Sequence, residues 1–170
     1  MKALAELVFI AEIVMQTKIA KWAAGRLQAT TDHFNEVEVL GAIQLILVAA
    51  GNVSKILWPS RKSSAARGEM LRKLLNVDNR NLLSDRKFRN HFEHYDERIE
   101  DWFEKNRSAV YMDSSIDPFK SIWGSNPANR HRVYNPLTQT LTFRGESVDL
   151  AALLNVLEEI RHKCRHFALP

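Results

Sequence analysis

Two long apolar helical segments near the N-terminus constrain the fold of this chain more than any other feature. From Ala3 to about Gln28, Leu4, Val8, Ala11, Met15, Ile19 and Trp22 recur at spacings of three and four, and Phe9, Ile10, Ile13 and Val14 widen the apolar surface beyond one stripe. The second segment runs from about Phe34 to Trp58 and ends at Pro59. Its stretch from Val37 to Ala50 is apolar almost all round, which demands a central position. Glu6, Glu12, Lys18 and Lys21 interrupt the first segment and no cleavage site comes after it, so it reads as a buried amphipathic helix, not a membrane span. The surplus apolar surface can be satisfied inside the core or across a symmetric dimer. Core suits the second helix, and a dimer contact suits the outer face of the first.

Further along, Ser60 to Ser64 forms a polar, basic linker, and Ala65 to Asn76 a third helix carrying Met70, Leu71, Leu74 and Leu75. Ser84 suits an N-cap, and Leu83 with Phe88 has the spacing of a hydrophobic staple. A fourth helix then places Phe88, Phe92, Tyr95, Ile99, Trp102 and Phe103 on one core-facing stripe. After Asn106 the helical pattern stops for some forty residues, and within that span Arg130 to Glu146 reads as a β-hairpin turning at Pro136. A last helix from about Asp149 to Phe167 turns Leu150, Leu153, Leu154, Leu157 and Ile160 inward. The expected fold is therefore all-α: one domain over residues 1–170, an antiparallel bundle of about five helices, with an irregular and hairpin insertion at about 106–147 before the last helix.

The 170 residues suffice for one self-sufficient core, and 45% apolar with 26% charged residues describes an ordinary globular chain. A single cysteine, Cys164, excludes an internal disulfide and suits a reducing, cytoplasmic setting. The net charge of +4 is unevenly spread. Residues 55–89 hold ten Lys or Arg against three acids, whereas residues 91–117 hold eight acids against three bases. The basic run, with Arg61, Lys62, Arg72 and Lys73 as its candidate contacts, either steers a polyanion toward the hexapeptide at its end or is a solvated helix surface.

That hexapeptide is Arg89-Asn90-His91-Phe92-Glu93-His94. A guanidinium is always charged and its fork of donors suits phosphate oxygens, while imidazole exchanges protons near neutral pH. On an ideal helix Asn90, His94, Glu97 and Asp101 share one face, and Arg86 stands a turn before Asn90. Arg89 lies about 140° around from His94, so it meets the same ligand through its long side chain, a distorted first turn or a second subunit. Arg89 with Glu93, and Arg86 with Asn90, could equally form a surface ladder of helical neighbours.

This Arg-Asn-x-x-x-His pattern resembles the Arg-x(4–6)-His signature of the HEPN superfamily, the higher-eukaryote and prokaryote nucleotide-binding domain. The resemblance implies a dimeric helical bundle that brings two motifs face to face and cleaves RNA by metal-independent acid–base chemistry, as toxins and defence nucleases of that family do. Other members are silent. Some carry Tyr two places after the His, where this chain has Asp96. In the implied chemistry His94 is base or acid, Arg89 binds the scissile phosphate, and Asn90 orients one of them. No cofactor or metal is required. The implied partners are RNA, a second copy of the chain, and an antitoxin or other restraining protein, with no membrane involved.

Secondary candidates surround these three. Arg86 and His91 form a looser overlapping match and are RNA-binding candidates. Trp123, Arg130, His131, Arg132 and Tyr134 in the insertion offer rings and charges to single-stranded RNA, or cover the end of the bundle. His162 and His166 have the one-turn spacing of paired metal ligands, but no third ligand is set beside them, and a helix C-terminus favours such residues anyway.

Overall fold

The computed structural model describes residues 3–30, 35–85, 94–106, 111–117 and 127–167, and the protein is mostly helical with a small strand region. Five α-helices lie among the described residues: α1 (Ala3–Ala29), α2 (Glu36–Leu57), α3 (Ala65–Leu74), α4 (Tyr95–Lys105) and α5 (Leu150–Cys164). α1 packs along α2 and against α5, and α3 closes on the end of α2.

The core of this part is aliphatic. Ile10, Ile13, Ala20 and Ala23 of α1 meet Val39, Ile43, Ile46 and Val53 of α2, with Leu150, Leu157 and Ile160 of α5 completing the cluster. The helix ends are set by local chemistry. Asn35 caps α2 by accepting from the Glu38 N–H at 3.1 Å, and Asp149 caps α5 by accepting from the Ala152 N–H at 2.9 Å. At the other end of α2, Arg67 donates to the carbonyls of Lys55 and Ile56, and Arg72 donates to that of Leu57. Two cations of the basic run thus satisfy carbonyls that the helix leaves without partners. Gly68 lets α3 approach this end, since a Cβ there would stand 2.5 Å from Pro59 Cδ and 2.7 Å from the Leu57 carbonyl oxygen.

The apolar stripe expected on α1 is in fact its outward face. Leu4, Val8, Ala11, Met15 and Trp22 are exposed, and the buried line is Ile10, Ile13, Thr17, Ala20 and Ala23. Both faces of α1 are apolar, so spacing alone did not choose between them. α2 is central as its composition demands, but Val37, Leu45 and Val48 reach solvent. It is long and apolar enough to cross a membrane by length and composition, and 56% of that window is buried inside the fold.

Two expectations for the fourth helix are corrected. Ser84 does not lead into a helix at Asp85. It closes a short 3-10 turn, Leu82–Ser84, because the Asn81 side chain takes the Leu83 N–H at 3.0 Å, and Asp85 is extended after it. α4 spans Tyr95–Lys105 with His94 in the cap position, and the expected first turns of this helix, at 86–93, lie outside the described residues. Of the expected core stripe, Trp102 is fully buried and Tyr95 and Ile99 are half-buried, but Phe103 is exposed. Phe88 and Phe92 lie outside the described residues.

The strands form two small sheets. β1 (Met112–Asp113) pairs in parallel with β2 (Arg130–His131). β3 (Val133–Asn135), β4 (Thr140–Phe143) and β5 (Glu146–Asp149) make an antiparallel meander. Asn135 Oδ1 gathers the N–H groups of Leu137 and Thr138 to turn β3 into β4. Arg144 and Gly145, at φ 50° and 87°, turn β4 into β5, the pair of positive angles that a two-residue hairpin needs. β5 reads as loop in the sequence because Glu146, Ser147 and Asp149 are polar and exposed.

Candidate functional site

His94 has φ −119° and ψ 43°, and its carbonyl accepts the Arg98 N–H at 3.1 Å, opening α4. The imidazole is half-exposed, with Nδ1 3.3 Å from Glu97 Oε1 one turn on. Asp101, expected on the same face, pairs instead with Arg98 at 3.5 Å. Arg86, Arg89, Asn90 and His91 lie outside the described residues.

The next residue, Tyr95, faces inward and opens a polar network that periodicity could not show. Its hydroxyl donates to Asp113 Oδ2 at 2.5 Å and lies 2.8 Å from the Tyr111 hydroxyl. Arg132 grips the same carboxylate with Nε and Nη2, and its guanidinium lies 4.2 Å from the centre of the Tyr95 ring. Arg132 holds a left-handed φ of 47° between β2 and β3, a kink that turns its side chain to Asp113.

Each group in this network is tuned by its neighbours. Burial, with donation to Asp113 second, raises the Tyr95 phenol far above its ordinary value and keeps it protonated. Burial raises the Asp113 carboxyl, but hydrogen bonds from Arg132 and Tyr95 with the charge of Arg132 outweigh that and hold it below the usual range. The bond to Asp113 raises Arg132 further.

Behind the network, His131 is fully buried and neither ring nitrogen has a hydrogen-bond partner among the described residues. It stacks on Tyr111 with centroids 4.4 Å apart and meets the edges of Trp102 and Phe143 at 5.6 and 5.3 Å. Burial, against the opposing pull of Asp113, lowers its pKa, so it is held neutral. Trp102 fills the centre and donates Nε1–H to the Ala128 carbonyl at 3.2 Å.

The basic candidates divide by environment. Arg61, Lys62 and Lys73 are exposed. Arg72 is committed to the Leu57 carbonyl, to Asn79 at 2.8 Å and to the Trp58 ring. Arg130 lies 3.7 Å from Asp117, and Arg132 is held by Asp113. Arg72, Arg130 and Arg132 are therefore engaged in the fold, and of the candidate contacts among the described residues Arg61, Lys62 and Lys73 are the ones turned to solvent.

At the end of α5, His162 pairs with Glu158 at 3.2 Å, and Arg161 grips the same carboxylate, whose pKa its hydrogen bonds lower to about 2. Cys164 is fully buried, which pushes its thiol up to about 11. No group of three metal-ligating side chains occurs among the described residues.

What sequence reading missed is the network of Tyr95, Tyr111, Asp113 and Arg132. Its members stand sixteen to nineteen residues apart across irregular chain, and the one signal was the acid-rich stretch preceding a basic hairpin. No family model, no curated protein and no solved structure matches the chain.

Proposed function

We propose that this chain is a metal-independent endoribonuclease of the HEPN type, a cytoplasmic toxin or defence effector acting as a homodimer with an antiparallel helical bundle fold. The observation that carries the reading is Arg89-Asn90-x-x-x-His94, ending in an exposed imidazole whose Nδ1 faces Glu97. A carboxylate on Nδ1 fixes the tautomer and leaves Nε2 for proton transfer.

His94 of one copy takes the proton of the ribose 2′-hydroxyl, whose oxygen attacks the phosphorus. His94 of the other copy gives a proton to the departing 5′-oxygen. Arg89 carries the charge that grows on the phosphate, and Asn90 orients it. The products are a 2′,3′-cyclic phosphate and a 5′-hydroxyl. Arg61, Lys62 and Lys73, with Arg86 and His91, draw the RNA in, and an antitoxin or regulatory protein restrains the enzyme.

A catalytically silent helical module that binds RNA or a protein is the second reading. It is favoured by the His94–Glu97 pair, which is equally a surface ladder of helical neighbours. Cleavage by purified protein separates the two. His94→Ala and Arg89→Ala should each abolish cleavage and leave the melting temperature of the exposed His94 variant unchanged. Full activity in His94→Ala would remove that residue from catalysis, and an inert wild type would favour the silent module.

A further inference from the structure

Leu4, Val8, Ala11, Met15, Lys18, Trp22, Gly25 and Ala29 succeed one another at steps of four and three along α1, and all eight are exposed. This is the spacing of a two-stranded coiled-coil seam, and the described elements leave it open, with Phe167 bordering it beside Ala11, Met15 and Lys18. Its four large apolar members are open to solvent at 73%, 60%, 53% and 62% for Leu4, Val8, Met15 and Trp22. A glycine in a helix interior costs about 0.5–1 kcal/mol against alanine, yet a Cβ on Gly25 would meet nothing within 4 Å. The packing of the described residues gives no reason for it.

From these observations we infer that α1 pairs with α1 of a second copy, antiparallel, about a two-fold axis between Gln16 and Thr17. In that register every layer sets a large side chain against a small or flexible one. Trp22 lies over Ala11 of the partner subunit, Val8 over Gly25 of the partner subunit, Leu4 over Ala29 of the partner subunit, and Met15 over the stem of Lys18 of the partner subunit. Such alternation lets the two faces interdigitate.

Charge selects the same direction. Within α1 the acids Glu6 and Glu12 occupy the first half, and the bases Lys18, Lys21 and Arg26 the second. Antiparallel pairing sets acid against base and opposes the helix dipoles. A parallel pair would set Trp22 on Trp22 and Lys18 on Lys18. This goes beyond the homodimer of the proposed function and stands on α1 alone, so its tests use no RNA and its failure leaves that reading untouched.

Light scattering of the full chain at micromolar concentration should give twice the chain mass. Met15→Glu and Trp22→Glu, both on exposed positions, should each give a folded monomer with unchanged helical circular dichroism. Under oxidising conditions Val8→Cys mixed with Gly25→Cys should cross-link, and neither variant should do so alone. A wild-type monomer, or a dimer indifferent to both glutamates, would overturn the inference. Cross-linking of Val8→Cys with itself would overturn the antiparallel direction, and binding of the wild-type monomer to anionic vesicles would assign the stripe to a lipid surface instead.

Discussion

Ile46 at the middle of α2 and Trp102 in the second half of α4 are both fully buried, but they are buried in different company. Around Ile46 the neighbours are aliphatic side chains from α1, α2 and α5. Around Trp102 they are Phe103, Tyr111 and His131, with the network of Tyr95, Asp113 and Arg132 beside them. The first region tolerates approximate packing, because burial there is nondirectional. The second depends on particular donors meeting particular acceptors, and each loss leaves a half-buried polar group without its partner.

The largest expected effect that distinguishes the regions comes from truncating each centre. Trp102→Ala should cost about 3–5 kcal/mol and Ile46→Ala about 2–5 kcal/mol. The pattern matters more than the size. Hydrogen exchange on Trp102→Ala should show lost protection at 111–117 and 130–135 with α1 and α2 still protected, whereas Ile46→Ala should lower protection throughout. Uniform loss in both variants would mean that the two regions unfold as one unit.

A smaller effect is expected at the ion pair. Asp113→Asn leaves the Arg132 guanidinium partly buried without its carboxylate, which should cost about 1.5–3 kcal/mol. Glu38→Gln, which breaks the exposed pair with Arg26 at 3.3 Å, should cost about 0–1 kcal/mol. Chemical denaturation measures both, and equal losses would reduce the network to a surface ladder.

The smallest expected effect is a pH slope. The pKa of His131 is depressed below 6.5 in the fold, so between that value and its folded one the unfolded chain binds the extra proton. Stability should therefore fall as pH drops below about 6.5. Asp113, held below 3.8, contributes stability that is present above that value and lost only in stronger acid. Melting His131→Phe from pH 7 to 5 should flatten the first slope, and melting it below pH 3.8 should leave the second in place. An unchanged slope in that variant would assign the acid sensitivity elsewhere.

The same contrast decides how much of the molecule was legible in the sequence. Helices α1, α2, α3 and α5 were readable because their apolar residues repeat at the helical period, and Asn35, Asp149 and Pro59 stand where helices start or stop. Which face of α1 turns inward was not readable, since Leu4-Val8-Met15 and Ile10-Ile13-Ala20 are both apolar and only the position of α2 decides. The network could not be read either. Asp113 meets Arg132 through a left-handed kink and a parallel strand pair, features set by tertiary contact and not by local spacing. At the candidate site, His94 was legible by residue type, but its place at the cap of α4 was not. The Arg72 anchor on α2 also went unread, because a cation in a basic run looks the same whether it faces solvent or a helix end.

The central claim is that His94 and Arg89 cleave RNA by acid–base chemistry alone. It is tested most directly by the ends that the purified protein leaves on a defined RNA in EDTA. The expected result is undiminished cleavage, 2′,3′-cyclic phosphate and 5′-hydroxyl ends, and no cut in the same strand carrying a 2′-deoxy sugar at the scissile position. Loss of activity in EDTA, or cleavage at the deoxy position, would contradict it.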